Sequence, residues 1–153
     1  RMSCIYGNMQ FGIEDHGWVT WMTILSYFGK KIKIFGDGKQ VRDLLFIDDL
    51  VKLFFKLSKS KKSVNKIYNV GGGNKNSLSI IELLELLKVK LNKKVVFKKY
   101  SWRSGDQKIY ISNNSKIKKE HNWSPNIGVS EGLDHVITWV NKNETEIKKI
   151  LRI

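Results

Sequence analysis

Apolar residues recur along this chain in two rhythms, and the switch between them marks its elements. Short apolar or alternating runs predict strands at residues 2–6, Ile32 to Phe35, Val41 to Ile47, Ile67 to Val70, Val95 to Tyr100 and Ile109 to Ser112. Helical spacing links Trp18, Trp21, Met22, Leu25 and Phe28, in a stretch that opens at Gly17 and stops at Gly29. Asp48 reads as the cap of a second helix running to about Ser58. Ser79-Ile80-Ile81-Glu82 has the form of a capping box, in which the Ser side chain accepts from a backbone N–H and the Glu reaches back. It opens a helix to about Leu91. Two further helices are expected, from about Ser115 to Asn122 and from Ser130 to Asn141, with the only proline between them in Trp123-Ser124-Pro125.

Strands separated by helices indicate an α/β chain with largely parallel pairing. Met2, Met22 and the tryptophans at helical spacing are expected in its core. No repeat, low-complexity tract or flexible linker interrupts the 153 residues, so the region reads as one piece. A hydrophobic fraction of 41% is enough for a core, and no apolar run or leader-like segment suits a membrane. A single cysteine, Cys4, excludes a disulfide framework or a multi-cysteine zinc site, and it suits a reducing cytoplasm. The chain begins at Arg1 and enters a strand at once, which reads as the continuation of a longer protein.

A net charge of +14 invites a nucleic-acid reading. The cations are nearly all lysine, spread along a chain rich in Asn and Ile and devoid of Ala, and this favours compositional drift on solvated faces. Other polar features also take plain readings. Gly71-Gly72-Gly73 lacks the Gly-x-Gly-x-x-Gly spacing of a dinucleotide loop and reads as a tight turn. Asp48-Asp49 suits a helix start, and His16, His121 and His135 are too scattered to form a ligand set. Glu14-Asp15 reads as a polar turn, with room left for a site loop.

Arginine is more informative, because this chain writes almost every cation as lysine. Arg42, in Val41-Arg42-Asp43, and Arg103, in Trp102-Arg103-Ser104-Gly105-Asp106, fall at strand ends or loops, where open α/β sheets place ligands. Two planar forks could clamp a diphosphate through bidentate bonds, or each could merely tie a loop by pairing with Asp43 or Asp106. The residues alone leave both readings open.

The chain also carries a run of motifs in order: Arg1-Met2-Ser3-Cys4-Ile5-Tyr6-Gly7, Gly36-Asp37-Gly38 before Val41-Arg42-Asp43, Asp48-Asp49-Leu50, Tyr68-Asn69-Val70-Gly71, and Arg103-Ser104-Gly105-Asp106. This series resembles the C-terminal half of an extended short-chain dehydrogenase/reductase of the sugar-nucleotide epimerase/dehydratase group. Gln10-Phe11-Gly12, Glu14-Asp15, Gly17-Trp18-Val19, Gly38-Lys39-Gln40 and Asp106-Gln107 most resemble the subgroup that interconverts CDP-paratose and CDP-tyvelose at C2. The resemblance implies an α/β fold that is the C-terminal part of a Rossmann-type architecture, with its small substrate-binding subdomain.

By the same resemblance, Arg42 and Arg103 would hold the nucleotide diphosphate and Asp106 would accept from ribose hydroxyls. Ile34 and Phe35 would pack on the base, with Leu78 beside them and Tyr110 nearby. His16, Gly17 and Trp18 would line the nucleotide entrance, while Ser3 and Cys4 would lie near the nicotinamide end of NAD. Asn8, Cys4 and His16 stand where relatives tend to have Pro, Asn and Gln. The implied chemistry is transient oxidation at C2 of a hexose, with hydride passed to bound NAD and returned to the other face. In this group the catalytic Tyr-x-x-x-Lys and the glycine-rich NAD loop lie upstream of the matched sequence. Tyr6 and Tyr100 fail the Tyr-x-x-x-Lys pattern, and no catalytic residue or metal ligand is assigned to these residues. The expected partner is a nucleotide sugar, not nucleic acid or membrane, and a homo-oligomer is expected of the full-length protein.

Overall fold

The computed structural model describes all residues, Arg1–Ile153. Its elements are β1 (Cys4–Tyr6), α1 (Trp18–Tyr27), β2 (Ile32–Phe35), β3 (Val41–Phe46), α2 (Ile47–Ser58), β4 (Ser77–Ser79) and α3 (Ile80–Leu91), followed by β5 (Phe97–Tyr100), β6 (Ile109–Tyr110), α4 (Ser115–His121), α5 (Val129–Lys142) and α6 (Glu144–Leu151). The predicted α/β alternation is present. Parallel ladders join β1 to β3, β2 to β5 and β3 to β6, while β4 runs antiparallel to β3.

β3 organises the molecule. Its second half, from Leu44, pairs with β1, and its first half is flanked on both edges, with Arg42 opposite Leu78 of β4 and opposite Tyr110 of β6. Alternation along a strand sends consecutive side chains to opposite faces, so Arg42 and Asp43 serve different surroundings. The main core is built by Val19, Ile24 and Leu25 of α1, Leu83 and Leu87 of α3, and Leu133, Val136 and Val140 of α5, packed against Leu44 and Phe46. A smaller cluster gathers Leu45, Leu50, Leu53, Tyr68 and Ile117 under α2 and α4. On α2, Val51, Phe54 and Phe55 are left exposed.

Several sequence expectations need correction. Met2 is 56% exposed and lies outside the core, and Trp18 and Trp21 flank it half-buried. Ile67 to Val70 is not a strand. Only Val70 bridges Met2, its carbonyl accepting from the Ser3 N–H and its own N–H donating to the Arg1 carbonyl, each at 2.9 Å, so this parallel pairing is a single bridge. Asp48 does not cap α2, since the helix begins at Ile47 with Phe46 at the cap position and no side-chain cap bond. Asp49 instead turns inward, and its Oδ2 accepts the backbone N–H groups of Asn126 and Ile127, each at 2.8 Å. It thereby fixes the loop that carries the proline.

The capping box of α3 forms as its sequence predicts, with Ser79 N–H donating to Glu82 at 2.6 Å and Glu82 N–H donating to Ser79 Oγ at 3.3 Å. Two elements escaped the periodicity. β4 is only three residues long, too short to alternate visibly. α6 begins after a break at Asn143 and hides only Ile147, so its mostly polar sequence resembles a tail.

Candidate functional site

Beside the first half of β3 lies a cavity of about 160 Å³ whose wall combines Trp18, Phe35 and Ile80 with six charged side chains. Local structure explains the convergence. In β2 the buried Ile32 and Ile34 alternate with Lys33 and Phe35, which therefore share the outer face and reach the cavity together. Arg42 arrives from β3 and Trp18 from the first turn of α1. Glu14 and Asp15 come from the loop between β1 and α1, where Ile13 and His16 close a tight turn by two backbone bonds. The loop after β5 brings Arg103 and Asp106.

The two arginines are held differently from either simple pairing considered for them. Arg42 Nη2 donates to Asp106 Oδ1 at 2.8 Å, and Nη1 donates to the Val41 carbonyl at 2.8 Å. The Asp106 carboxylate is held in place by Gln40 Nε2 at 3.4 Å, and the same amide donates to the Phe35 carbonyl at 2.7 Å. Arg103 does not pair with Asp106. Its guanidinium lies over the Phe35 ring, 3.9 Å from the centroid, and pairs with Asp15 at 2.8 Å and more loosely with Glu14 at 3.8 Å. Lys33 completes the set, donating to Glu14 at 2.9 Å.

A second cavity, of about 350 Å³, shares Asp15 and Trp18 with the first and extends past His16 and Gly17 to Ser3, Cys4 and Gln10. Burial pushes the Cys4 thiol above its ordinary range, so it stays protonated at neutral pH. The Ser3 hydroxyl is committed to Asp43, bonding both its carbonyl and its carboxylate. Thus the structure places Trp18, Phe35, Arg42, Arg103 and Asp106 around one cavity, and Ser3, Cys4, His16 and Gly17 around its neighbour. Three other sequence candidates lie elsewhere. Ile34 and Leu78 are core residues, and Tyr110 flanks Arg42 on the far strand without lining either cavity.

Lys33, Gln40 and Ile80 line the site without having been singled out. Lysine carries no signal in a chain so rich in it, and Gln40 enters the sequence reading only within the Gly38-Lys39-Gln40 motif, without a role of its own. The glycine run is a turn: the Gly73 N–H goes to Asp43 at 2.9 Å and the Gly71 N–H to Asn114 at 3.1 Å, which leaves neither for a phosphate. Tyr27 and Lys31 have the bare Tyr-x-x-x-Lys spacing, but Gly29, at φ 64°, lies between them and α1 has already ended. The Tyr27 hydroxyl is instead bonded to Asn141 and Glu144.

Comparison with known proteins gives a consistent picture. The family described as GDP-mannose 4,6 dehydratase matches residues 19–136. The CDP-paratose 2-epimerase of Salmonella typhi is 34% identical over 147 residues, covering 92% of this chain and 44% of that protein. The UDP-glucuronate 4-epimerase of Thermodesulfobacterium geofontis is 38% identical over 124 residues, covering 81% of this chain and 38% of its own. Among solved structures, the UDP-glucose 4-epimerase of Thermotoga maritima, crystallised with UDP-glucose, superimposes with a TM-score of 0.82 at 30% identity, over 94% of this chain and 45% of that one. The chain spans less than half the length of these relatives.

Proposed function

Because the chain belongs to the GDP-mannose 4,6-dehydratase family, within the extended short-chain dehydrogenase/reductases that act on nucleotide sugars, we propose that it forms the nucleotide-sugar-binding part of an NAD-dependent epimerase. The reading extends to a CDP-hexose turned over at C2, as the relation to a CDP-paratose 2-epimerase suggests. Deoxysugar supply in the cytoplasm is the corresponding role. One observation supports it above the others: Arg42 and Arg103, two of only four arginines in the chain, line one cavity beside an aromatic ring. Planar forks suit the oxygens of two linked phosphoryl groups, and each charge-assisted bond is stronger than a neutral one.

In this reading Arg42 and Arg103 hold the diphosphate, and Asp106 accepts from the ribose. The exposed edge of Phe35 meets the base, because Arg103 covers one face of the ring. The hexose then extends toward the second cavity, past Trp18 and His16 to Cys4. NAD, when bound to the complete protein, supplies the hydride acceptor. The residues present here fit only the edge of such a cofactor, since the Gly71 and Gly73 N–H groups already have partners and Ser3 is spent on Asp43. This chain's own work is to bind and orient the substrate. The test is calorimetric titration of CDP into the chain and into the double variant Arg42→Ala, Arg103→Ala. Binding should weaken by about 100-fold or more, since a hydrogen bond to a charged group is worth about 1.5–3 kcal/mol. A folded double variant that binds CDP like the parent overturns the reading.

A further inference from the structure

We infer that Glu14 and Asp15 are an internal counter-anion: they occupy Arg103 and Lys33 while the cavity is empty, and an incoming diphosphate displaces them. The inference rests on the reading of this cavity as a nucleotide-diphosphate site and adds the residues that set its affinity. Three cations line the cavity, Lys33, Arg42 and Arg103, and three carboxylates face them, Glu14, Asp15 and Asp106. The lining therefore carries no net formal charge, in a chain whose total is +14. Each cation already has a carboxylate partner: Lys33 has Glu14 at 2.9 Å, Arg103 has Asp15 at 2.8 Å, and Arg42 has Asp106 at 2.8 Å.

The three carboxylates are not equivalent. Asp106 is tied to the cavity floor, since Gln40 and Arg42 both hold it, and its side chain is 26% exposed. Glu14 and Asp15 sit on a separate loop and hold the cations of the site through ion pairs, and the Asp15 side chain is 74% exposed. Water can solvate a carboxylate so placed as soon as it lets go, which makes these two the exchangeable members. A diphosphate laid between Arg42 and Arg103 needs the Nη atoms that Asp15 now occupies. Its charge then takes the place of the carboxylates rather than adding to a bare positive cleft. Two consequences follow for binding: affinity is held below what the two arginines could give, and dependence on salt is shallow, because the empty site is already neutralised.

The test uses the chain with Asp15→Asn, Glu14→Gln and both, titrated with CDP and with inorganic pyrophosphate at several salt concentrations. Removing one or two half-exposed pairs of ordinary surface strength should tighten binding by about three- to tenfold. The salt dependence should steepen in parallel. Placed on an Arg103→Ala background, Asp15→Asn should have no effect, because the cation it competes for is gone. Unchanged or weaker CDP binding by Asp15→Asn overturns the inference and makes the carboxylate a ligand contact or a bystander. Failure of the unmodified chain to bind either probe, with Asp15→Asn equally silent, overturns both the inference and the reading of the cavity beneath it. Binding of the unmodified chain with no gain in the variants overturns the inference alone.

Discussion

Arg42 and Asp43 are neighbours in β3, and the strand sends one to the cavity and the other into the fold. Arg42 meets a single carboxylate at a site open to solvent, and its side chain remains 15% exposed. Asp43 is 0% exposed, with its carboxylate wrapped by Ser3 from the edge of β1, by the Gly73 N–H at 2.9 Å and by the Ser112 N–H at 3.1 Å. Three segments far apart in sequence are thereby joined at one buried charge. A buried carboxylate is stable only when its lone pairs are filled, and once they are filled it holds every donor in place. The contrast separates two uses of charge: a network closed on itself fixes a fold, and an arginine that spends only part of its donor fork, on Asp106 and the Val41 carbonyl, keeps N–H groups for a ligand.

The sharpest way to break this comparison is to truncate both residues. Asp43→Ala orphans the N–H groups of Gly73 and Ser112 and leaves the Ser3 hydroxyl only the backbone carbonyl of residue 43, and should cost about 2–4 kcal/mol in urea denaturation. Arg42→Ala should cost about 1 kcal/mol or less, as partly exposed pairs do, while most of the CDP affinity is lost. If the two variants unfold at the same denaturant concentration, the division between lock and receptor fails.

The glycines on either side sharpen the same contrast by smaller amounts. A Cβ on Gly72, in the turn behind Asp43, would sit 2.1 Å from the Leu44 carbonyl oxygen, a contact between two backbones that no side-chain rotation can relieve. Gly105, in the loop behind Arg103, has a φ of 75° but nothing within 4 Å of an added Cβ. Gly72→Ala should therefore destabilise by about 2–3 kcal/mol, through overpacking. Gly105→Ala should cost about 1 kcal/mol, from the left-handed backbone alone. Thermal melts of the two variants measure the difference directly.

Much of this was legible from the residues and some was not, for reasons that lie in the interactions themselves. The capping box at Ser79 and the helical spacing of α1 are local, so the sequence displays them. The scarcity of arginine pointed to Arg42 and Arg103, and both line the same cavity. Their partners were not legible. Asp106 is 64 residues from Arg42, and Asp15 is brought to Arg103 by the β1–α1 loop, so the nearest acid in sequence is the wrong one in each case. Alternation within β2 sends Phe35 to the cavity and Ile34 to the core, a split that the period of a strand makes legible. Asp48 and Asp49 do stand in the first turn of α2, as acids at a helix start do, but no local pattern shows that the Asp49 carboxylate turns inward to the N–H groups of Asn126 and Ile127.

The smallest effect expected comes from two tyrosines remote from the cavity, and it extends the contrast to hydroxyl groups. Tyr27 bonds Glu144 at the start of α6, and that hydrogen bond, more than burial, pushes its hydroxyl up to about 12. Tyr68 bonds Glu120 in α4, and burial first, then the carboxylate, pushes it up to about 12. In both, the folded state holds the proton more tightly than the unfolded chain, whose tyrosines titrate near 10. Their contribution is fully present below about pH 10 and is lost as pH rises through the folded values near 12. Alkaline denaturation followed by circular dichroism should show a decline in stability across that window. Tyr27→Phe should flatten the part of it carried by the docking of α6, and Tyr68→Phe the part carried by α4. An alkaline limb of equal steepness in the double Phe variant assigns the decline to other groups and leaves these hydroxyls as packing contacts only.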